Sequence, residues 1–440
     1  MNNSPRDIIF NLILEFLSSN KSFKIINEST FKNLESFSRR DKNFITNISK
    51  GILRYKNVLD YNIAAHSKIK KIDKKTLSLL YIGIYQLLYC NSIPDYAAVN
   101  STVNLAKSKH KKSTNFINAI LRKTISFPFK INQDSSDKDY EKVDFMHSKW
   151  FNEKLKNQYS KSVAIQILKS NLKKPKLWIR VNLLKTNITN IKKILNNNKI
   201  SFKEDKYINF FLKIDDIKSN DIISKLLNEG LIYIQNPSSG HIVNIINSKP
   251  NETILDACSA PGGKASLIAQ IMNNKVKIIC MDINKDRIVR LKKNLSLLDI
   301  LNVNFLCDNA IDYKSKIKYD KIILDLPCSS SGTINKNPDI KWRINKKSLS
   351  KYQKTQYSIL NNMKDNVKIG GDIIYSTCSI FNDENEYNIL KFLDRNSNFS
   401  ISCLNKSIPK EFITQLGAML ILPNANNYEG MFAIKLTKNA

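Results

Sequence analysis

Two cysteines in the C-terminal half of this chain lie in polar loops that follow short apolar runs. Cys328 belongs to Asp325-Leu-Pro-Cys-Ser-Ser-Ser-Gly332, and Cys378 belongs to Tyr375-Ser-Thr-Cys-Ser379. A nearby base or positive charge can hold such a cysteine as a thiolate, which is the form that acts as a nucleophile. The loops therefore supply two candidate nucleophiles, and the residues alone leave the choice between them open.

Two cysteines and one aspartate suit methylation of a pyrimidine ring at carbon. Cytosine C5 is too weakly nucleophilic to take a methyl group directly, but addition of a thiolate at C6 makes C5 enamine-like. A second cysteine could assist loss of the C5 proton and departure of the thiolate. A carboxylate such as Asp325 near the ring N3 would stabilise the adduct.

A glycine-rich loop lies between an apolar run and a helical stretch. It reads Leu255-Asp-Ala-Cys-Ser-Ala-Pro-Gly-Gly-Lys264. Gly262 and Gly263 let the backbone approach a ligand closely, and the helix start beyond them offers free N–H groups. The loop lacks both the G-x-G-x-x-G spacing of a dinucleotide fold and the G-K-[ST] ending of a P-loop. It therefore favours a nucleoside ligand other than NAD or ATP.

Five short apolar runs alternate with helical stretches and predict a parallel, doubly wound sheet. The runs cover residues 253–256, 276–282, 303–308, 321–325 and 372–376, and four of them end on aspartate. Ligands of such sheets bind beyond the carboxyl ends of the strands. Asp282 is expected to accept hydrogen bonds from ribose hydroxyls, and Asp308 is expected to face an adenine edge. A single aspartate is more often a turn or cap residue, but the repetition favours a binding site.

The chain divides into three predicted parts, with residues 1–131, 140–234 and 235–440 as their bounds. Apolar residues recur at helical spacing in the first part, which indicates an all-α domain. Short helices and strand-like runs mix in the second part, a small α+β connector. The third part is the α/β domain with the predicted sheet. Polar residues from Asn132 to Asp139, without hydrophobic periodicity, predict a linker between the first two parts.

The charge balance indicates a polyanionic partner. Lys and Arg number 70 against 38 Asp and Glu, which gives a net charge of +32. Nucleic acid is the first candidate partner, although some of these lysines can be solvated surface in a chain rich in Lys, Asn and Ile. Seven cysteines without C-x-x-C spacing exclude a disulfide framework or zinc ribbon and fit a reducing cytosol. No signal peptide, membrane span or metal-binding spacing is visible.

At these residues the chain resembles the RNA cytosine-C5 methyltransferases that use S-adenosylmethionine. Within them it resembles the Sun/Fmu (RsmB) branch, and the resemblance covers nearly the whole chain. It is carried by Ser259-Ala-Pro-Gly-Gly-Lys264, Asp325-Leu-Pro-Cys-Ser329, Pro338-Asp-Ile-Lys-Trp342 and Thr377-Cys-Ser379. The N-terminal part resembles the NusB-like RNA-binding module in Tyr81-Ile-Gly-Ile-Tyr-Gln-Leu-Leu-Tyr89, Ala97-Ala-Val-Asn-Ser-Thr-Val103 and Phe116-Ile-Asn-Ala-Ile-Leu-Arg122.

The resemblance implies roles for the candidate residues. Cys378 would be the nucleophile, Cys328 would help release the product, and Asp325 would take part at the catalytic centre. S-adenosylmethionine would be held by Cys258, Ser259, Ala260, Pro261, Gly262, Gly263, Lys264, Asp282, Asp308 and Asp325. The α/β domain would be a Rossmann-like S-adenosylmethionine-dependent methyltransferase domain. Two departures, Asn236 where the family usually has Asp and Tyr428-Glu-Gly-Met-Phe near the C-terminus, put fine positioning in doubt.

The resemblance also implies a substrate and a setting. We expect methylation of C5 of one cytosine, cytosine 967, in 16S ribosomal RNA or an early small-subunit assembly intermediate, by a cytoplasmic monomer without metal or membrane partner. One alternative is an RNA-binding or antitermination scaffold without activity, which would predict a degenerate catalytic half. Another alternative is a cytosine-C5 methyltransferase of another RNA, such as tRNA, which the sequence does not exclude.

Overall fold

A computed structural model describes residues 4–31, 34, 36–131, 144–215, 220–404, 408–423 and 427–439. The predicted linker Asn132–Asp139 lies outside these residues. Contacts divide the chain into two compact units, with residues 1–173 and 334–344 in the first and residues 174–333 and 345–440 in the second. This division by contacts differs from the three parts drawn from sequence pattern, whose bounds stay a prediction.

The helices and strands are numbered in chain order. The helices are α1 (Pro5–Ser18), α2 (Phe23–Phe31), α3 (Arg39–Ala64), α4 (Lys74–Tyr89), α5 (Asp95–Lys109), α6 (Thr114–Ser126), α7 (Lys149–Gln158), α8 (Lys161–Leu172), α9 (Ile188–Asn197), α10 (Asn220–Asn228), α11 (Pro237–Ile246), α12 (Gly263–Ile271), α13 (Lys285–Leu297), α14 (Ile340–Arg343), α15 (Lys346–Met363) and α16 (Glu386–Arg395). The strands are β1 (Leu177–Val181), β2 (Phe202–Glu204), β3 (Phe211–Ile214), β4 (Ile232–Ile234), β5 (Thr253–Asp256), β6 (Lys277–Asp282), β7 (Val303–Cys307), β8 (Tyr319–Asp325), β9 (Val367–Thr377), β10 (Phe399–Ile401), β11 (Met419–Ile421) and β12 (Met431–Lys438).

The first unit is helical throughout its described elements, as the 3.6-residue periodicity predicts. The three N-terminal segments of the NusB resemblance meet at one point, because α4, α5 and α6 pack together around Gly83. A Cβ built on Gly83 would lie 2.6 Å from Leu121 Cδ2 and 3.1 Å from Thr102 Cγ2. Glycine thus permits the close approach of these helices.

A short segment distant in sequence completes the helical unit. Residues 334–344, which contain the Pro338–Trp342 motif, belong to this unit and not to the α/β unit on either side of them in the chain. The buried ammonium of Lys341 donates hydrogen bonds to the carbonyls of Arg54, at 2.8 Å, and Met146, at 2.7 Å. The Trp342 indole N–H donates to the Leu53 carbonyl at 2.6 Å. Buried polar contacts therefore fix the segment in place.

The second unit begins with a small antiparallel sheet in the order β2-β3-β1-β4. Its central strand β1 covers Leu177–Val181, as the sequence predicts. The strand predicted from Tyr207 to Ile214 begins only at Phe211. The cause is local, because the Asp205 carboxylate accepts hydrogen bonds from the backbone N–H groups of Tyr207 and Ile208 and holds them in a turn.

The large sheet has the strand order β10-β12-β9-β8-β5-β6-β7, with β11 paired to β12. The five predicted strands are present, and they pair in parallel in the order β9-β8-β5-β6-β7. The sheet differs from an all-parallel one beyond β9, where β12 pairs antiparallel to it. The predicted α/β architecture is confirmed, and buried apolar residues cover both faces of the sheet. Its parallel strands bring their carboxyl ends to one edge.

The described residues include neither a membrane-spanning helix nor a metal-binding cluster. Among them, none of the helices combines the length and apolar character needed to cross a membrane. Nor do they contain a group of three or more His, Cys, Asp or Glu side chains placed to hold a metal ion.

We expect Gly51→Ala to destabilise the helical unit. A Cβ at Gly51 in α3 would lie 2.0 Å from the ring of buried Tyr85, so the ring must move. Such overpacking costs about 1–3 kcal/mol, which exceeds the gain of about 0.5–1 kcal/mol from replacing a helical glycine. Thermal unfolding followed by circular dichroism should show a lower midpoint. Asn104→Ala, at an exposed position of α5, is the control and should leave the midpoint unchanged.

Candidate active site

Adjacent parallel strands bring the two cysteine loops together. β8 and β9 pair in register, with Asp325 opposite Ser376, so the residues that follow each strand leave the sheet side by side. The Sγ atoms of Cys328 and Cys378 lie 3.1 Å apart. Their juxtaposition follows from sheet topology, because 50 residues separate them in the chain.

The two thiols have opposite acidities. The hydrogen bond between the two thiols raises the pKa of Cys328 well above its usual value, with burial acting in the same direction. The same hydrogen bond lowers the pKa of Cys378, despite burial and the carboxylates of Asp325 and Glu429, which act against it. The pair therefore favours a thiolate on Cys378 and a protonated thiol on Cys328.

A buried carboxylate joins the two cysteine loops. Glu384 accepts a hydrogen bond from the Ser329 N–H at 2.7 Å and another from the Ser329 hydroxyl, both in the Cys328 loop. It also accepts one from the Ser379 hydroxyl at 2.5 Å, next to Cys378. Gln356 of α15 donates to the same carboxylate and to the Pro327 carbonyl, each at 3.0 Å. Burial raises the pKa of Glu384, and these donors oppose that shift.

Backbone contacts complete the junction of the loops. Gly332 N–H donates to the Cys378 carbonyl at 2.9 Å, and Gly430 N–H donates to the Gly332 carbonyl at 2.8 Å. A Cβ on Gly332 would lie 2.4 Å from the Gly430 carbonyl oxygen. Only glycine allows the Cys328 loop to pack this closely on the backbone that leads into β12.

The glycine-rich loop joins the same edge of the sheet through an ion pair. Gly262 has φ +100°, in the left-handed region, and α12 begins directly after it. Lys264 in the first turn of α12 is buried, and its Nζ lies 2.6 Å from Asp325 Oδ2. Since Asp325 ends β8, three residues before Cys328, the ion pair connects the loop to the cysteines.

The predicted carboxylates occupy the ends of neighbouring strands. Asp282 is buried at the end of β6, where its Oδ1 accepts from the Asn284 N–H at 3.1 Å and its Oδ2 lies 3.1 Å from Arg287 Nη1. Arg287 also donates to the Ala260 carbonyl of the glycine-rich loop at 2.6 Å. Asp308 is exposed and lies just after β7, the next strand. The structure thus places all the predicted carboxylates along one edge.

Asp256 is a carboxyl group that the sequence reading did not single out. It ends β5, only 1% of its surface is exposed, and the glycine-rich loop follows it. Burial, reinforced by the charge of Asp325, raises the pKa of Asp256 to about 7. A neutral carboxylic acid near neutrality can donate a hydrogen bond, unlike its ionised neighbours.

Two further residues help to position the site, Arg180 and Glu384, and the sequence assigned neither of them to it. Arg180 of β1 is fully buried and donates to Gln235 at 2.7 Å, to the Gly263 carbonyl at 3.0 Å and to Ser266 at 2.9 Å. It therefore braces the start of α12 from the small sheet. An arginine within an apolar strand and the polar cluster Asp383-Glu-Asn-Glu386 were the signals available in the sequence.

The two departures from the family pattern have structural partners. The Asn236 side chain caps α11 by accepting from the Ser238 N–H at 3.1 Å, a role that Asn and Asp fill equally well. The hydroxyl of buried Tyr428 donates to Asp205. Neither residue contacts the cysteines or the glycine-rich loop in any hydrogen bond of the described chain.

The raised pKa of Asp256 predicts a pH-dependent stability. Because this pKa is near 7 in the folded chain and near 4 in the unfolded chain, the folded state binds more protons between these values. The stability contributed by Asp256 is full below about pH 4 and is lost as the pH rises to about 7, by on the order of a few kcal/mol. Between pH 5 and pH 8, the thermal unfolding midpoint should fall further in wild type than in Asp256→Asn. Equal falls in both would contradict the prediction.

Three family models match the chain. The model described as 16S rRNA methyltransferase RsmB/F matches residues 243–437, the NusB family model matches residues 3–126, and the RsmF/B-like ferredoxin-like domain model matches residues 147–219. These matches confirm the NusB-like character of the helical N-terminal part, the α+β connector and the C-terminal methyltransferase domain.

Relatives match over almost the whole chain. The probable ribosomal RNA small subunit methyltransferase B of Coxiella burnetii is 30% identical and aligns with 92% of this chain and 94% of its own. The Bacillus subtilis protein of the same description is 27% identical over 99% of both. The crystal structure of PH0851 superposes with a TM-score of 0.81 at 26% identity and covers 100% of both chains. A methyltransferase homolog from Pyrococcus horikoshii, 28% identical with a TM-score of 0.60, covers 69% of this chain and 100% of its own. The chain therefore belongs to the RsmB/F family of 16S ribosomal RNA methyltransferases.

Proposed function

We propose that the protein transfers a methyl group from S-adenosylmethionine to C5 of one cytosine in 16S ribosomal RNA, expected to be cytosine 967, through a covalent bond between Cys378 and C6. The observation that carries this proposal is the pair of sulfur atoms 3.1 Å apart at the carboxyl edge of a methyltransferase sheet. The ion pair between buried Lys264 and Asp325 links these sulfurs to the glycine-rich loop.

The edge of the sheet has the donors and acceptors that S-adenosylmethionine requires. Asp282 ends β6 at this edge with its carboxylate held by the Asn284 N–H and Arg287, and it is the acceptor we propose for the ribose hydroxyls. Gly262 is left-handed and directly precedes α12, whose first-turn N–H groups would bind the carboxylate. Asp308 follows β7, the strand next to β6, and we propose that it faces the adenine. When bound, S-adenosylmethionine supplies an electrophilic methyl group.

The residues of the chain divide the remaining work. The Cys378 thiolate adds to C6 and so makes C5 nucleophilic, and Asp325 stabilises the adduct from the N3 side. After C5 has taken the methyl group, a water molecule takes the C5 proton and the C5–H electron pair forms the C5=C6 double bond. The C6–sulfur bond breaks with its electron pair on Cys378, which restores the aromatic ring and the thiolate. Cys328 assists this release from 3.1 Å away.

The opposite acidities of the two thiols support Cys378 as the nucleophile. A thiol must be ionised when the target cytosine reaches it in order to act as the nucleophile. The pKa of Cys378 is lowered, whereas that of Cys328 is raised. The residues alone had left this choice open. The hydrogen bond from Cys328 favours the assignment that the family resemblance implies.

The RNA substrate is supported by charge and by the family. A net charge of +32 attracts a phosphate backbone, and the NusB-like part supplies a module outside the catalytic domain. We propose 16S ribosomal RNA or an early assembly intermediate as the substrate and a cytoplasmic monomer as the enzyme. The target cytosine must leave its stack to expose C6 to the cysteines.

Cys378→Ala should abolish methyl transfer from labelled S-adenosylmethionine to 16S RNA, by at least about 10³-fold, because no other thiolate reaches C6 in the proposed chemistry. Cys328→Ala should instead accumulate a protein–RNA adduct that survives a denaturing gel. An adduct in Cys378→Ala would reverse the two roles. Absence of transfer by wild type to RNA or to assembling subunits would favour the scaffold alternative.

Asp282→Asn should weaken binding of S-adenosylhomocysteine about tenfold. The amide keeps the shape but loses the charge that strengthens hydrogen bonds from ribose hydroxyls. Isothermal titration calorimetry measures the affinity without RNA. Asp286→Asn, at an exposed position of α13, is the matched control and should bind as wild type does. Equal affinity in all three proteins would exclude Asp282 from the cofactor site.

A further inference from the structure

Three consecutive serines follow Cys328, and they face two different environments. The buried hydroxyl of Ser329 donates to Glu384, and the Ser331 hydroxyl accepts from the Ile380 N–H at 3.0 Å. Ser330, between them, is partly exposed. Its Oγ lies 3.3 Å from Cys378 Sγ and 3.9 Å from Cys328 Sγ. The first and third serines therefore anchor the loop, and the middle one faces the two sulfurs.

The backbone of Ser330 is in an unfavourable conformation. Its φ is +59°, in the left-handed region that is unfavourable for a residue with a side chain. Glycine would adopt this conformation without that cost. The contacts of Ser329 and Ser331 hold Ser330 in place. The Ser330 hydroxyl, which a glycine would lack, lies near the two sulfurs.

We propose that Ser330 is a positioning residue whose hydroxyl donates a hydrogen bond to the Cys378 thiolate and so keeps that sulfur ionised. While Cys378 is a thiol, its S–H donates to Ser330 Oγ. When the proton leaves to solvent, the neutral hydroxyl rotates and donates to the sulfur. The catalytic consequence rests on the proposed function, but the hydrogen bond itself does not.

The surroundings of Cys378 show why a second donor matters. Asp325 at the end of β8 and Glu429 before β12 are carboxylates that oppose ionisation of Cys378. Lys264, the cation that follows the glycine-rich loop, is paired with Asp325. Besides the Cys328 thiol, the Ser330 hydroxyl is the side-chain donor whose hydrogen bond lowers the pKa of Cys378. Stabilisation of the thiolate thus comes from neutral donors.

The test measures the pH dependence of Cys378 alkylation by iodoacetamide, read by mass spectrometry on the free enzyme. Ser330→Ala should raise the alkylation midpoint by about one pH unit, so that the rate at pH 7 falls roughly tenfold. Ser330→Gly removes the hydroxyl while relaxing the backbone, and it should show the same shift. An unchanged midpoint in both variants would overturn the proposal, as would a shift in the glycine variant alone.

Two comparisons separate this result from other causes. Repeating Ser330→Ala in a Cys328→Ala background should preserve the shift, and its disappearance would show that the hydroxyl acts only through Cys328 and overturn the direct contact. Because alkylation uses neither RNA nor methyl donor, the result stands even if methyl transfer fails. If Ser330→Ala does not fold, Ser330→Gly, whose φ is unstrained, gives the same measurement.

Discussion

The carboxylate of Glu384 accepts hydrogen bonds from both cysteine loops, which are distant in the chain. The spacing of the two sulfurs depends on this carboxylate. Ser329 donates from the Cys328 side and Ser379 from the Cys378 side. Buried hydrogen bonds to a charged group are strong, and leaving one unmade is costly. A site that needs two thiols in contact thus obtains its precision from a residue that reacts with nothing.

An ion pair joins the glycine-rich loop to the cysteine loops. Lys264 opens the helix after the glycine-rich loop, and Asp325 opens the loop that leads to Cys328. Lys264 belongs to the motif Ser259-Ala-Pro-Gly-Gly-Lys264, and Asp325 belongs to the motif Asp325-Leu-Pro-Cys-Ser329. The ion pair therefore connects the two motifs directly. Because Lys264 is buried, its charge would be unfavourable without Asp325.

The sequence was informative where the signal is local. A 3.6-residue periodicity predicted the helical part, and short continuous apolar runs predicted the five parallel strands. The residue types of the loops predicted Cys328, Cys378 and the glycine-rich turn. The remaining features depend on contacts between distant residues. Glu384, Arg180 and the antiparallel β12 have no local pattern that reveals their partners. The acidity difference between the two thiols likewise arises only when the sheet places them 3.1 Å apart.

The segment 334–344 has a consequence for how the chain is made. The helical unit includes residues up to 173, yet Lys341 and Trp342 supply buried contacts to α3 and must first be synthesised. A ribosome adds about 5–20 residues per second, so the nascent helical unit waits on the order of ten seconds for its last piece. During that interval the carbonyls of Leu53 and Arg54 lack their final donors. Completion of the N-terminal unit is therefore timed by translation of the catalytic domain.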